Sequence, residues 1–174
     1  MIAKKICLLG SFAVGKTSLT RRFVESIFFE KYHTTIGVKI DKKVVRCEDR
    51  EIELLIWDIE GRDEFAPLRE SYLRGAAAIL LVVDLTRPDS LEVARELRVH
   101  VDKVLGNVPF LALLNKSDLD QDRRITPEDI QALQKEGWEF IETSAKTGQN
   151  VDGAFLRLTE KLLVNGPQLS KTGA

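Results

Sequence analysis

Apolar and polar positions fall into short blocks along the chain, and the period changes from block to block. Residues 6–9, Ile-Cys-Leu-Leu, form a brief apolar run that reads as a buried strand. Val38, Ile40 and Val44 alternate with Lys39, Asp41 and Lys43, and Ile52, Leu54 and Ile56 alternate with Glu51, Glu53 and Leu55. Turn residues around Glu48, Asp49 and Arg50 separate the two runs, so the pair predicts a β-hairpin. Residues 77–83 and 110–114 are apolar throughout, as expected of strands covered on both faces, and residues 139–142 predict a further short strand. Between these strands the period lengthens. Residues 18–25 begin a helix after the first strand, and Ala94, Leu97, Val101 and Val104 recur at spacings of three and four on one helical face. Thr126 is placed to cap a helix with Pro127 first and Asp129 third, and Val151, Ala154, Phe155, Leu158 and Leu162 stripe a final one. No internal repeat or linker interrupts the pattern. The expectation is an α/β fold: a six-stranded, mostly parallel sheet with one antiparallel hairpin strand and helices on both faces.

Composition narrows the class. A chain of 174 residues is long enough for one domain with a sizeable core. We expect that domain over residues 1–165 and a flexible polar tail over residues 166–174. Hydrophobic residues at 44% and charged residues at 30% match globular proteins. A net charge of −1 argues against nucleic acid or an acidic membrane as a bulk partner. No apolar run approaches the ~20 residues of a spanning helix, and no signal peptide is visible, so a cytoplasmic protein is expected. Cys7 and Cys47 lie on predicted strands and read as reduced thiols, and the tail carries no cysteine for a prenyl lipid anchor.

The chemistry lies at the ends of the strands. Residues 10–17 read Gly-Ser-Phe-Ala-Val-Gly-Lys-Thr, which fits G-x-x-x-x-G-K-S/T, the phosphate-binding P-loop. The preceding strand and following helix are the context that the motif needs. Glycines let the backbone turn tightly around anionic oxygens, and the helix N-terminus and Lys16 add positive charge. Ala13, Val14, Gly15, Lys16, Thr17 and Ser18 are the expected phosphate contacts, with the Thr17 hydroxyl on the Mg²⁺ that accompanies a nucleotide. Asp58 ends a hydrophobic strand three residues before Gly61. A carboxylate there can hold Mg²⁺, usually through water, while the glycine N–H meets a terminal phosphate. D-x-x-G alone is a common turn. Residues 115–118, Asn-Lys-Ser-Asp, end another strand. The Asp118 carboxylate accepts two parallel hydrogen bonds from a purine that carries an exocyclic amine and a ring N–H, which favours guanine over adenine. Asn115 can brace the P-loop or accept from the base, and the Lys116 stem can cover the base's face. Thr143, Ser144, Ala145 and Lys146 follow the short strand, and their backbone could meet the base carbonyl. Ligands in open α/β sheets bind at the carboxyl ends of strands, so these clusters should converge.

In this order and spacing the motifs resemble those of the Ras-superfamily small GTPases, over nearly the whole chain. Thr35-Ile36-Gly37-Val38 and Tyr72-Leu73-Arg74-Gly75-Ala76 are most similar to the Rab branch, and other runs resemble the Rab-like small GTPases found in bacteria. The resemblance implies a P-loop NTPase fold, GTP/GDP with Mg²⁺, and protein effectors and GTPase-activating or exchange partners acting through residues 30–40 and 60–75. It also implies residue roles. Lys16 would sit on the β- and γ-phosphates, and Thr17, Thr35 and Asp58 would serve Mg²⁺. Gly61 N–H would meet the γ-phosphate, with Tyr32 over the phosphates. Phe28 would lie at the guanine edge, Asn115, Lys116 and Asp118 on the base, and Ser144, Ala145 and Lys146 would complete its pocket.

Three departures from the family pattern bear on catalysis. Residues 58–63 read Asp-Ile-Glu-Gly-Arg-Asp, where the family has Asp-Thr/Ala-Ala-Gly-Gln-Glu. Arg62 replaces the glutamine that orients the attacking water, Glu60 replaces a small alanine, and Phe12 stands where relatives carry glycine or another small residue. Hydrolysis depends on positioning and charge stabilisation, so these losses matter. Hydrolysis that is slow until a partner completes the site, an Arg62 that serves as an internal arginine finger, and a bias toward GDP all remain open. So does a plain Glu60–Arg62 salt bridge. Lys16, Glu60 and Arg62 are therefore the catalytic candidates. A non-hydrolysing, nucleotide-loaded adaptor is the opposing class, and Asp118 disfavours a third, an ATP-using kinase. His33 and His100 read as isolated solvent-facing residues, Trp57 as core or interface, Trp138 as packing near the last strand, and residues 120–124 as a solvated loop.

Overall fold

The computed structural model describes residues 1–30, 34–61 and 68–165. Among these residues six strands and five α-helices follow one another: β1 (Ile2–Gly10), α1 (Lys16–Glu25), β2 (Val38–Cys47), β3 (Arg50–Ile59), α2 (Glu70–Leu73), β4 (Ala78–Asp84), α3 (Pro88–Leu105), β5 (Phe110–Asn115), α4 (Pro127–Lys135), β6 (Phe140–Glu142) and α5 (Val151–Asn165). They build one sheet in the order β2-β3-β1-β4-β5-β6. Only β2 runs antiparallel to its neighbour. Right-handed crossover helices cover both faces of such a sheet. β1 shows the consequence directly: Ile6 and Leu8 pack with Phe23 of α1 and Phe155 of α5, whereas Cys7 and Leu9 pack with Leu97 and Val101 of α3. Phe23 and Phe155 stack with centroids 3.9 Å apart. β4 is buried at every position, which is why its sequence is apolar without alternation. Each fully buried leucine or isoleucine there contributes about 1.5–3 kcal/mol through removal from water.

The expected caps and turns form. Thr126 accepts the Asp129 amide and Asp129 accepts the Thr126 amide, a reciprocal capping box at the start of α4 with Pro127 in the first turn. The hairpin closes through Glu48 and Asp49, with Cys47 paired to Arg50 and Glu48 in the left-handed region at φ 54°. The charged stretch read as a loop contains a single 3₁₀ turn, Asp120–Asp122. β2 differs from its sequence pattern in one respect. Ile40 and Val44 are exposed, while Val45 and Cys47 are buried on the opposite face beside half-buried Asp41 and Lys43. Lys43 makes that possible: its ammonium lies 4.1 Å from the Phe23 ring centroid and donates to the Phe23 carbonyl, so its stem covers the core as an apolar residue would.

Candidate functional site

The carboxyl ends of β1, β3, β5 and β6 deliver four loops to one edge of the sheet. The first, after β1, requires its glycines. A Cβ at Gly10 would meet the Val82 carbonyl oxygen at 2.5 Å, and one at Gly15, φ 105°, would meet Asn115 Nδ2 at 2.3 Å. Ala13 also adopts a left-handed φ of 61°. The loop folds around Lys16, which is buried and donates to the carbonyls of Gly10 (3.2 Å) and Ser11 (2.9 Å). Burial lowers its pKa from 10.5 to about 8; Asp58 opposes that shift and Arg87 adds to it. A buried ammonium whose protein partners are neutral carbonyls is poised for an anion.

Three hard oxygen donors meet beside it. Thr17 Oγ1 lies 2.6 Å from Asp58 Oδ2 and 2.6 Å from Thr35 Oγ1, and Thr35 Oγ1 lies 3.4 Å from the same carboxylate oxygen. Asp58 is almost fully buried, and its Oδ1 has no hydrogen-bond partner. Burial raises its pKa; hydrogen bonds from Thr17 and the charge of Lys16 act the other way. Two hydroxyls and a carboxylate with an unsatisfied buried oxygen fit a hard, oxygen-seeking cation such as Mg²⁺. Among the described residues no cluster of His, Cys, Asp and Glu offers a rival metal centre.

The base-side loops are tied to the phosphate side by Asn115 and Lys116. Asn115 Nδ2 donates to the Val14 carbonyl at 3.0 Å, and its Oδ1 accepts from Thr143 Oγ1 at 3.2 Å and Ala145 N at 3.3 Å. Of the two roles open to Asn115, bracing is the one these contacts make. Lys116 Nζ donates to the Ala13 carbonyl at 2.9 Å and lies 2.7 Å from Asp84 Oδ2, close enough for an ion pair though not aligned as a hydrogen bond. Asp118 Oδ1 accepts from Ser144 Oγ at 2.7 Å. A cleft runs across these groups, lined by Phe28, Asn115, Lys116, Asp118, Ala145 and Lys146. It joins the phosphate-loop side through Ala13, Gly15 and Ser18.

The loop after β3 begins with a steric contact. A Cβ on Gly61 would lie 2.5 Å from Phe12 Cα and 2.8 Å from Phe12 N, so only glycine lets these backbones approach. The Glu60 carboxylate accepts the Gly37 N–H at 2.8 Å. Phe12 itself is 43% exposed. Arg62, Tyr32 and His33, and residues 166–174, lie outside the described residues.

Phe29 and Arg87 join the site beyond the residues that its motifs mark. Phe29 lines the cleft beside Phe28, with the Arg21 guanidinium 5.0 Å from its ring centroid. Arg87, just before α3, donates to the Phe12 carbonyl at 2.6 Å and to Ser11 Oγ at 3.1 Å. Lys16 is thus not the only cation at the phosphate loop. A second aromatic beside Phe28 was a visible signal for the first; nothing in the local pattern marked the second. His100, expected at the surface, is half-buried, and its Nε2 has no hydrogen-bond partner. Trp57 is half-buried under the Lys5 ammonium, 3.5 Å from the ring centroid, and Trp138 packs edge-on against Phe110 of β5.

The sequence matches the Ras family over residues 5–164. With the sheet order, the phosphate loop and the cleft already described, the chain belongs to that family: it is a Rab-like, GTP-binding small GTPase. It is 37% identical to the Ras-related protein Rab-2B of Dictyostelium discoideum over 91% of this chain and 80% of that one. It is 35% identical to the Ras-related protein RABA4b of Arabidopsis thaliana over 97% and 77% of the two chains, respectively. It is 36% identical to the Ras-related protein Rab-13 of Bos taurus over 92% and 80%. Among the described residues no helix is long and apolar enough to cross a membrane.

Proposed function

We propose that this chain is a guanine-nucleotide switch whose GTP hydrolysis is slow and depends on a protein partner. One observation carries the guanine half of the reading. Asp118, fixed by Ser144, faces a cleft floored by the stems and backbone expected to hold a purine. The diphosphate would lie against Lys16 and the amides of residues 13–18, with Mg²⁺ held by Thr17 and Thr35 and through water by Asp58. When bound, that ion neutralises phosphate charge. In this reading Gly61 N–H and Thr35 contact the γ-phosphate side and leave it on hydrolysis, and partners read residues 30–40 and 60–75. The slow-hydrolysis half rests on residue chemistry. Glutamine donates and accepts, as water orientation requires; the Arg62 guanidinium only donates. The Glu60 carboxylate, engaged by Gly37, is a poor substitute. A cytoplasmic setting accords with two buried free thiols, Cys7 and Cys47.

A second reading, an adaptor that binds GTP without hydrolysing it, shares the same pocket. It is favoured by Thr35 already resting against Thr17 and Asp58. Both readings require guanine preference. After removal of any carried nucleotide, GTP and GDP should displace a fluorescent GDP from the protein and ATP should not. Asp118→Asn should weaken GDP binding by about 2–4 kcal/mol, because one donor then faces another in a buried pair. Equal displacement by ATP would overturn the assignment.

A further inference from the structure

Arg22 grips the loop on the base side of the cleft from behind. It projects half-buried from α1, six residues beyond Lys16. Its Nε donates to the Ala145 carbonyl at 2.8 Å and its Nη2 to the Lys146 carbonyl at 2.5 Å, while Nη1 reaches the Ser26 carbonyl at 3.5 Å. Two successive carbonyls of the β6–α5 loop are thereby held by one planar fork, a geometry that guanidinium provides and ammonium does not. From the other side, Asn115 Oδ1 takes the Ala145 N–H and Asp118 takes the Ser144 hydroxyl. Carbonyl and amide of one peptide unit point in opposite directions in one plane. Holding the Ala145 oxygen on the α1 side therefore turns the Lys146 N–H the other way, and Ala145 and Lys146 both line the cleft.

We infer that Arg22 is a positioning residue for guanine specificity: it aims the Lys146 N–H at the carbonyl oxygen of the purine, while the amides of Ala145 and Thr147 are held by Asn115 and Ser144. This rests on the guanine-binding reading above. Arg22 itself does not line the cleft, so its effect on a nucleotide runs through the loop.

The test is equilibrium binding of the full chain to two nucleotides. GDP carries the 6-carbonyl oxygen; 6-thioguanosine diphosphate keeps the amine, the ring N–H and the phosphates but has a weakly accepting sulfur in place of that oxygen. Arg22→Ala should weaken GDP binding by about tenfold or more, the loss of one well-aimed hydrogen bond, and the 6-thioguanosine nucleotide by less than about threefold. Arg22→Lys keeps the charge and the stem but not the fork. It should move the same ratio in the same direction by a smaller factor, and it carries the test if the alanine variant does not fold. Equal weakening of both nucleotides, or an unmoved GDP affinity, overturns the role of Arg22. If the unsubstituted chain itself binds GDP no better than ATP, the guanine reading fails first and this inference with it.

Discussion

Glu60 holds Gly37 at both of its backbone groups. Its carboxylate accepts the Gly37 N–H at 2.8 Å, and its own N–H donates to the Gly37 carbonyl at 2.9 Å. Gly37 adopts a left-handed φ of 72° two residues after Thr35, and Glu60 directly precedes Gly61. The two segments that flank the phosphate site are therefore clasped where β2 and β3 begin and end. The alanine that the family pattern has at this position could supply only the backbone half of the clasp.

Removing the carboxylate should loosen this junction. In Glu60→Ala the Gly37 amide loses its acceptor, at a cost of about 1 kcal/mol for a half-exposed hydrogen bond. Amide hydrogen exchange read by NMR should show Gly37 exchanging faster in Glu60→Ala and at an intermediate rate in Glu60→Gln. An unchanged Gly37 rate in Glu60→Ala would mean that the clasp does not hold in solution.

Lys16→Ala should weaken GDP by at least about two decades, since a buried charge facing phosphate is lost with its charge-assisted bonds. Arg87 does not replace it, because its two terminal nitrogens are engaged by Phe12, Ser11 and Asp89. Calorimetric titration checks this. The melting temperature in saturating GDP should fall as well, because a tightly bound ligand stabilises the folded state. Undiminished GDP affinity would remove the loop from the phosphate site.

The α4 cap gives a pH-dependent contribution of known sign. Hydrogen bonds from the Thr126 backbone and side chain lower the Asp129 pKa below 3.8. A carboxylate with a depressed folded pKa contributes stability that is present above its unfolded value and is lost as pH falls through the folded one. Asp129→Asn should thus destabilise at pH 7 and cost progressively less below about pH 4, the ordinary aspartate range. Urea melts of both proteins at pH 7 and pH 3 would show it. A constant difference between them would contradict the capping account.

Much of the architecture was legible because periodicity and burial coincide. The apolar runs that became β4 and β5 had no polar face to misplace, and Thr126, Pro127 and Asp129 announced α4 by themselves. β2 was legible as a strand but not in its facing. An edge strand needs one face only partly apolar, and the Lys43 stem filled a core position that hydropathy assigns to solvent. The site followed the same rule. Lys16, Thr17, Asp58, Asn115 and Asp118 were visible because their spacing within a motif carries chemistry. Arg22 and Arg87 were not, since Arg22 acts on backbone carbonyls and Arg87 on a carbonyl and a serine hydroxyl far away in the sequence, contacts that leave no mark in a sequence. The Glu60 carboxylate was visible as a departure, but its partner, a backbone amide, was not.

The central claim is a guanine-nucleotide switch with a crippled intrinsic reaction, and single-turnover hydrolysis tests it most directly. The protein loaded with GTP and Mg²⁺, without any partner, should convert it at or below about 10⁻⁴ s⁻¹, the range of unassisted proteins of this kind. Arg62→Gln should raise that rate modestly, and Phe12→Gly with Arg62→Gln should raise it more than either change alone. An unassisted rate of about 10⁻² s⁻¹ or more, the range reached when an arginine is supplied in cis, that falls tenfold in Arg62→Ala would contradict the account and make Arg62 an internal arginine finger.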